Sequence, residues 1–286
     1  MSKPLHDDTL EKTRAFWNAS PCGAQDSLRQ RIAHRYAVEP WVKDVLERIA
    51  AEHTGVVEIG CGQGTDGITL CTLLPAGGSY LGIDYSDDSV KAADRARREA
   101  EGLLRFNVEP VFRRMNAEAL DFADDSIPFV YSNGVLHHTA RPRTAYAELW
   151  RVLEPGGEAM IALYRKPSLK VGLAKGLRGL QSAIDGVLNT DRCIYQLIAA
   201  RKAPSLLGTM LLEGFGVPMM EWYSEADIRE IFGGWDILRL DAVGCNFPRR
   251  RPRSRGWTRL GYMWLIHLRK PRGATSGRVS ERMRPE

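Results

Sequence analysis

The chain has 286 residues, of which 44% are hydrophobic and 26% charged, and its formal net charge is +5; this composition is typical of a folded globular protein and excludes a disordered one. No stretch approaches the roughly 18 consecutive apolar residues that a membrane-spanning helix needs, and the N-terminus lacks the apolar core of a signal peptide. The five cysteines form no Cys-x-x-Cys pair, so the sequence predicts reduced thiols, no metal site and a cytoplasmic location.

The first 53 residues are predicted to be helical. Residues 9–18 form one short helix, and a second begins near Asp26 and runs to Tyr36. A third begins at Glu39, with Pro40 acceptable in its first turn. We expect residues 1–53 to form a lid on the domain that follows.

A strand at 56–59 is predicted to run into a glycine-rich turn and then a helix. The glycines follow each other as G-x-G-x-G at Gly60, Gly62 and Gly64, and such a turn lets the backbone pass close to a ligand. Glu58 would repel a pyrophosphate, and Thr65 stands where a nicotinamide fingerprint has its third glycine. The motif therefore favours a ligand with positive charge and no phosphate, such as S-adenosylmethionine (SAM).

A second strand, residues 80–84, ends in Asp84. In a βαβ unit this acid lies at the tip of the second strand, within reach of both ribose hydroxyls of a nucleoside. The alternative is that Asp84 caps the helix predicted at 87–100. Ser86 or Asp87 can provide that cap instead, so we favour the ribose role.

Further strands are predicted at 110–115, 127–131 and 158–164, the last after a tight turn at 153–157. Polar residues follow two of these strands. Asn116, which precedes Ala117 and Glu118, could reach the adenine edge. Asn133 could hold the methionine end of the cofactor or the incoming nucleophile.

Strand and helix alternate five times between residues 56 and 164, which predicts an α/β fold with a mostly parallel sheet and helices on both faces. We expect a SAM-binding core at 54–164, a helical insertion at 165–222 that caps the substrate, and a C-terminal part of the core at 223–272. That last part holds a helix capped by Ser224 and two strands near 235–243 and 260–268. Residues 273–286 are predicted to be disordered.

Together these motifs resemble the class I SAM-dependent methyltransferases, and most of all the small-molecule methylases of the ubiquinone/menaquinone type. The resemblance covers roughly residues 54–165 and lies in the segments VVEIGCGQGTDG, YLGIDYSDDSV, NAEAL, YSNGVLHHT and RVLEPGGEAMIALY. It implies a Rossmann-like sheet of seven strands, with the sixth parallel and the seventh antiparallel, and methyl transfer from SAM to a small molecule. One departure is Asn116, because the family often has an acid there.

The candidate cofactor residues combine these motifs with aromatic side chains of the lid, whose ring faces attract a sulfonium. They are Trp17, Tyr36, Glu58, Gly60, Cys61, Gly62, Gly64, Asp84, Tyr85, Asn116, Ala117, Glu118 and Asn133. Trp41 is a further aromatic candidate, for which core packing is at least as good an interpretation. Cys61 has no clear partner base, so we interpret its side chain as packing and not as a nucleophile.

Three residues are candidates for acid–base work on the acceptor. His137 and His138 follow the fourth strand and have a suitable ordinary pKa; adjacent residues point differently, so at most one is expected to face the site. Tyr164 ends the fifth strand. The alternatives are a histidine bonded to a neighbouring loop and an aromatic plug at a strand end. Methyl transfer depends mainly on alignment, so a base is not obligatory.

Positive charge is concentrated near the C-terminus, because residues 249–286 hold 12 Lys/Arg and 2 Asp/Glu. The basic segment 249–255 could bind an anionic substrate, although a solvated loop or a nonspecific nucleic-acid contact is the favoured interpretation. The insertion could serve a lipid-like substrate or lie on a membrane surface. Three other functions stay open: a nucleic-acid methyltransferase, a cyclase or lyase that acts on SAM itself, and a noncatalytic SAM-binding protein.

Overall fold

The computed structural model describes residues 5–19, 27–191, 193–200, 217–244 and 261–274. The helices are α1 (Leu5–Ala19), α2 (Leu28–Val38), α3 (Pro40–Glu52), α4 (Thr65–Leu73), α5 (Asp87–Glu101), α6 (Pro142–Val152), α7 (Leu169–Leu188), α8 (Cys193–Ala200) and α9 (Glu225–Ile231), with a 3-10 turn at Leu136–His138. The strands are β1 (Gly55–Ile59), β2 (Ser79–Asp84), β3 (Val111–Arg114), β4 (Ile127–Asn133), β5 (Leu153–Tyr164), β6 (Asp236–Val243) and β7 (Met263–Arg269).

The seven strands form one sheet in the order β3-β2-β1-β4-β5-β7-β6. The first five strands are parallel, and β7 pairs antiparallel with both β5 and β6. The predicted α/β fold with a parallel sixth and an antiparallel seventh strand is confirmed. The strand order reverses at β1, where β2 and β4 lie on opposite sides, and this is the place where open α/β sheets bind their ligands.

Helices cover both faces of the sheet because their apolar stripes face it. On one face Tyr146 and Leu149 of α6 pack with Ile228 of α9. On the other face Leu46 of α3 and Ile68 of α4 are fully buried with residues of α2 and α5. The lid, except α1, is therefore built into the core of the second face.

Several predicted boundaries shift by a few residues. Helix α2 begins after Ser27, whose side chain accepts from the amide of Gln30. Strand β5 begins at Leu153, earlier than predicted, because the turn at Gly156 donates its N–H to the carbonyl of Lys270 at 2.8 Å and joins the sheet. Ser224 caps α9 in a capping box, as the sequence predicts.

Parts of three predictions lie outside the described residues: the basic segment 249–255, residues 192 and 201–216 of the insertion, and the tail from 275. Within the described ranges, no helix has the length and apolar character needed to cross a bilayer. The same ranges contain no group of three or more His, Cys, Asp or Glu side chains arranged to hold a metal ion.

Candidate functional site

The glycine turn between β1 and α4 forms the floor of the candidate site. Gly60 and Gly62 both have positive φ, +81° and +53°. A Cβ on Gly60 would lie 2.2 Å from a methyl carbon of Val135, whereas a Cβ on Gly62 would meet no atom within 4 Å. Gly60 is therefore needed for packing against the loop after β4, and Gly62 borders open space where a ligand can approach the backbone.

Asp84 lies at the tip of β2 and faces this turn. Its carboxylate accepts N–H groups from Gly62 and Ser86, each at 2.9 Å. Burial raises the pKa of Asp84, although these two N–H groups favour its charged form. The cap of α5 is Ser86, whose hydroxyl accepts from Ser89, so Asp84 does not serve as that cap.

Residues at the carboxyl ends of β3 and β4 contribute further polar groups to the same edge of the sheet. The Asn116 side-chain oxygen accepts the amide of Glu118 at 3.0 Å, and the buried Glu118 carboxylate accepts the backbone N–H of Arg141 at 2.8 Å. Their proposed contacts with adenine stay predictions, and Ala117 between them is buried. The buried Nδ2 of Asn133 has no hydrogen-bond partner within the described residues, which leaves a donor for a ligand at this edge.

Glu58 lies below the turn, in contact with α4. Its carboxyl group accepts the hydroxyl of Tyr80, and it is 3% exposed. Burial, together with the nearby charge of Asp66, raises the pKa of Glu58 to about 8. Asp66 in turn binds the Arg35 guanidinium of α2 through two contacts of 2.8 and 3.1 Å. A direct contact between Glu58 and a cationic ligand stays a prediction; its neighbours here are protein groups.

The raised pKa of Glu58 gives a pH prediction. The folded state binds this proton more tightly than the unfolded state, so the stabilisation is complete below the ordinary pKa of 4.5 and is lost as the pH rises towards 8. The loss is at most about 1.4 kcal/mol per pH unit. The free energy of unfolding, measured in urea from about pH 5.5 to about 8.5, should decrease less steeply with pH for Glu58→Gln than for the wild type. Glu47 is exposed, so Glu47→Gln should keep the wild-type pH dependence.

Helix α1 spans the site from the start of α5 to the turn after β4. The side-chain oxygen of Asn18 accepts the Ser86 hydroxyl at 2.5 Å. The Trp17 ring lies 5.6 Å from the His138 ring in an edge-to-face arrangement. Trp17 is therefore placed over the predicted site, and its contact with a cofactor stays a prediction.

The other lid aromatics have different surroundings. The Tyr36 hydroxyl donates to Asp66 at 3.3 Å, on the flank of α4, and Trp41 packs against the two clusters around it. Tyr85 follows β2, and the Arg114 guanidinium lies over its ring, 5.5 Å from the ring centre. Packing is thus visible for all three, and the cofactor roles predicted for Tyr36 and Tyr85 remain predictions.

Four aromatic rings meet beyond the carboxyl ends of β4 and β5. The His137 ring lies 4.2 Å from that of His138 and 4.3 Å from that of Tyr164, and Trp17 closes the group. Both histidines are buried. Cys61 is buried as well, and burial holds the pKa of its thiol well above the usual range, which matches its interpretation as a packing residue and not a nucleophile.

Residues 217–223, which we call the strap, hold the two histidines in place. The carbonyl of Met219 lies 2.8 Å from His138 Nδ1, and the amide of Glu221 donates to the His137 carbonyl at 3.0 Å. A carbonyl only accepts, so Nδ1 of His138 carries the proton; when the ring is neutral, its lone pair is on Nε2. Sequence reasoning missed the strap because its contacts are made by backbone groups. It also missed Arg35 and Asp66, although an acid inside an apolar helix such as α4 was a usable signal.

Comparisons with known proteins agree with this geometry. Residues 57–161 match the family model described as methyltransferase domain. An uncharacterized protein of transposon TN4556 from Streptomyces fradiae is 37% identical over 56% of this chain and 44% of its own length. Demethylmenaquinone methyltransferase of Listeria welshimeri is 26% identical over 51% of this chain and 58% of its own length. The matches thus span about half the length of these relatives.

Solved structures show the same fold at low identity. One comes from the complex between the Haloferax volcanii Trm112 methyltransferase activator and the putative methyltransferase. It is 18% identical, the alignment covers 95% of this chain and 100% of that chain, and the TM-score is 0.56. Another is magnesium protoporphyrin IX methyltransferase from Synechocystis PCC 6803 with bound SAM, with 17% identity, 94% and 100% covered, and a TM-score of 0.54. Residues 57–161 thus match a methyltransferase domain, and the predicted resemblance to the class I SAM-dependent methyltransferases is confirmed.

Proposed function

We propose that this protein is a SAM-dependent methyltransferase that acts on a small molecule. The arrangement of Asp84 and Gly62 supports this proposal most directly. A carboxylate at the tip of β2 faces a glycine that borders open space, at the edge where the strand order reverses. This arrangement suits a nucleoside ligand whose ribose hydroxyls bind Asp84 and whose substituent on the ribose passes over the glycine turn.

The residues around the turn would hold SAM from three sides. Asp84 would accept the ribose hydroxyls, Asn116 would face the adenine edge, and the unpaired Nδ2 of Asn133 would donate to the methionine end or the nucleophile. When bound, SAM supplies a methyl group on an electrophilic sulfonium. The protein's task is then to align the acceptor and to exclude water.

The acceptor side is covered, which supports a small acceptor. Helix α1 reaches from Ser86 to His138, and the strap contacts the same turn through the carbonyl of Met219. Nε2 of His138 would take the proton that a hydroxyl, amine or activated carbon loses on methylation. The rings of Trp17 and Tyr164 lie 5.6 and 5.4 Å from the His138 ring in edge-to-face arrangements and would flank this place.

The test is mass spectrometry of the purified protein incubated with SAM that carries a deuterated methyl group and a pooled metabolite extract. The expected result is one metabolite that gains the labelled methyl, together with an equal amount of S-adenosylhomocysteine. The matched control is the same extract without protein. Label found only in nuclease-sensitive material would assign a nucleic-acid acceptor, and methylthioadenosine formed without extract would show that SAM itself is the substrate; either result overturns the proposal.

A further inference from the structure

Helix α7 presents an apolar face that no described residue covers. Leu173, Leu180 and Val187 follow each other at intervals of one heptad and therefore lie on one face. They are 50%, 53% and 84% exposed. Leu188 and, on α8, Leu197 are also more than half exposed. Singly exposed leucines are common on proteins, but a row along a whole helix marks an interaction surface.

Small residues complete this face. A Cβ placed on Gly172, Gly176, Gly179 or Gly186 would meet no atom within 4 Å, and Ala183 between them is exposed. The described charged side chains of α7 are held elsewhere: Lys175 lies 4.4 Å from the Trp222 ring centre, Arg178 donates to the Pro218 carbonyl, and Asp185 accepts from Thr190. The outward face is thus apolar over about five turns.

The net charge of the sequence segment that contains α7 and α8 decides what covers this face. Residues 165–202 contain eight Lys/Arg and two Asp/Glu, an excess of +6, whereas the whole chain has +5. A second copy of the chain would bring the same positive excess to the interface and would be repelled. An anionic lipid surface has the opposite charge and an apolar layer below its headgroups, so it complements both properties of the helix.

We propose that the outward face of α7 binds the surface of anionic membranes, with the helix lying in the plane of the interface. This inference goes beyond the proposed function and does not depend on it. The helix contacts the strap through Lys175 and Arg178, and the strap holds His138. Membrane contact would therefore be made next to the acceptor side of the site.

The test is co-sedimentation of the full chain with vesicles of phosphatidylcholine that contain phosphatidylglycerol, and with vesicles of phosphatidylcholine alone. We expect binding to the anionic vesicles, at least tenfold weaker binding to the neutral ones, and a steep decrease with salt. The triple substitution Leu173→Gln, Leu180→Gln, Val187→Gln should lower the partition coefficient at least tenfold, and Val187→Gln alone should lower it severalfold.

Controls distinguish vesicle binding by this face from nonspecific adsorption of the protein. Leu103→Gln, a 56% exposed leucine next to α5, should leave vesicle binding unchanged, and circular dichroism should show that the triple variant is folded. Equal binding of the wild type and the triple variant would overturn the proposal. So would a lipid-free dimer, seen by sedimentation equilibrium, that the triple variant dissociates, because the face would then be an interface between copies.

Discussion

Replacing Asp84 with alanine is expected to weaken SAM binding about a hundredfold. The variant would lack the hydrogen bonds that the carboxylate makes to the ribose, and each hydrogen bond to a charged acceptor contributes about 1.5–3 kcal/mol. Two such bonds correspond to at least a hundredfold in the dissociation constant. In the ligand-free protein the same carboxylate holds the amides of Gly62 and Ser86, so the turn would also lose its preorganisation. Isothermal titration calorimetry with SAM measures the effect.

Two variants show whether the loss belongs to this position. Asp88→Ala removes an exposed acid from the first turn of α5, where it pairs with Lys91 at 3.8 Å. This variant should keep SAM affinity within about twofold of the wild type. Asp84→Asn keeps one acceptor oxygen and should lose about tenfold. Wild-type affinity of a folded Asp84→Ala protein would show that the ribose lies elsewhere.

The elements that place Asp84 were predictable from local sequence. An apolar run bounded by glycine or an acid defines β1 and β2, and the glycine spacing between them defines the turn. Each of these signals lies within about six residues, and the parallel pairing of β1 with β2 follows from the helix between them. The register then places Asp84 beside Gly62, as a βαβ unit requires.

The surroundings of Glu58 depend on contacts that no local pattern encodes. Gly82 stands opposite it on β2 and lacks a side chain, which leaves room for the Tyr80 hydroxyl. Gly67 of α4 also leaves this space, since a Cβ there would lie 1.9 Å from that hydroxyl. Two absent side chains on different elements thus leave room for the buried pair of Glu58 and Tyr80. Composition and spacing do not contain that information.

The strap shows a second limit of sequence reasoning. Met219 lies 81 residues from His138 along the chain. The bonds of the strap use the carbonyl of Met219 and the amide of Glu221, which every residue type except proline would supply. The sequence could nominate His137 and His138 together. Only the fold distinguishes them, because one ring nitrogen is held by the strap carbonyl.

Replacing His138 with asparagine is expected to lower kcat about a hundredfold or more. The asparagine Nδ2 occupies the place of the histidine Nδ1 and can still donate to the Met219 carbonyl. The substitution therefore keeps the strap bond and removes the Nε2 lone pair that would accept the acceptor's proton, together with the ring contacts to Trp17, His137 and Tyr164. KM and SAM affinity should change little, because the lost group acts in the transition state. Steady-state kinetics with the acceptor identified by the labelled-methyl experiment measures both.

The pH profile distinguishes a base from a residue that only supports the turn. In the wild type the rate should fall on the acidic side as His138 becomes protonated, and this limb should be absent in His138→Asn. His34→Asn, an exposed histidine of α2, is the matched control and should keep both the rate and the limb. An unchanged kcat in a folded His138→Asn protein would show that alignment alone supports the transfer, as it does for a nucleophile that loses no proton.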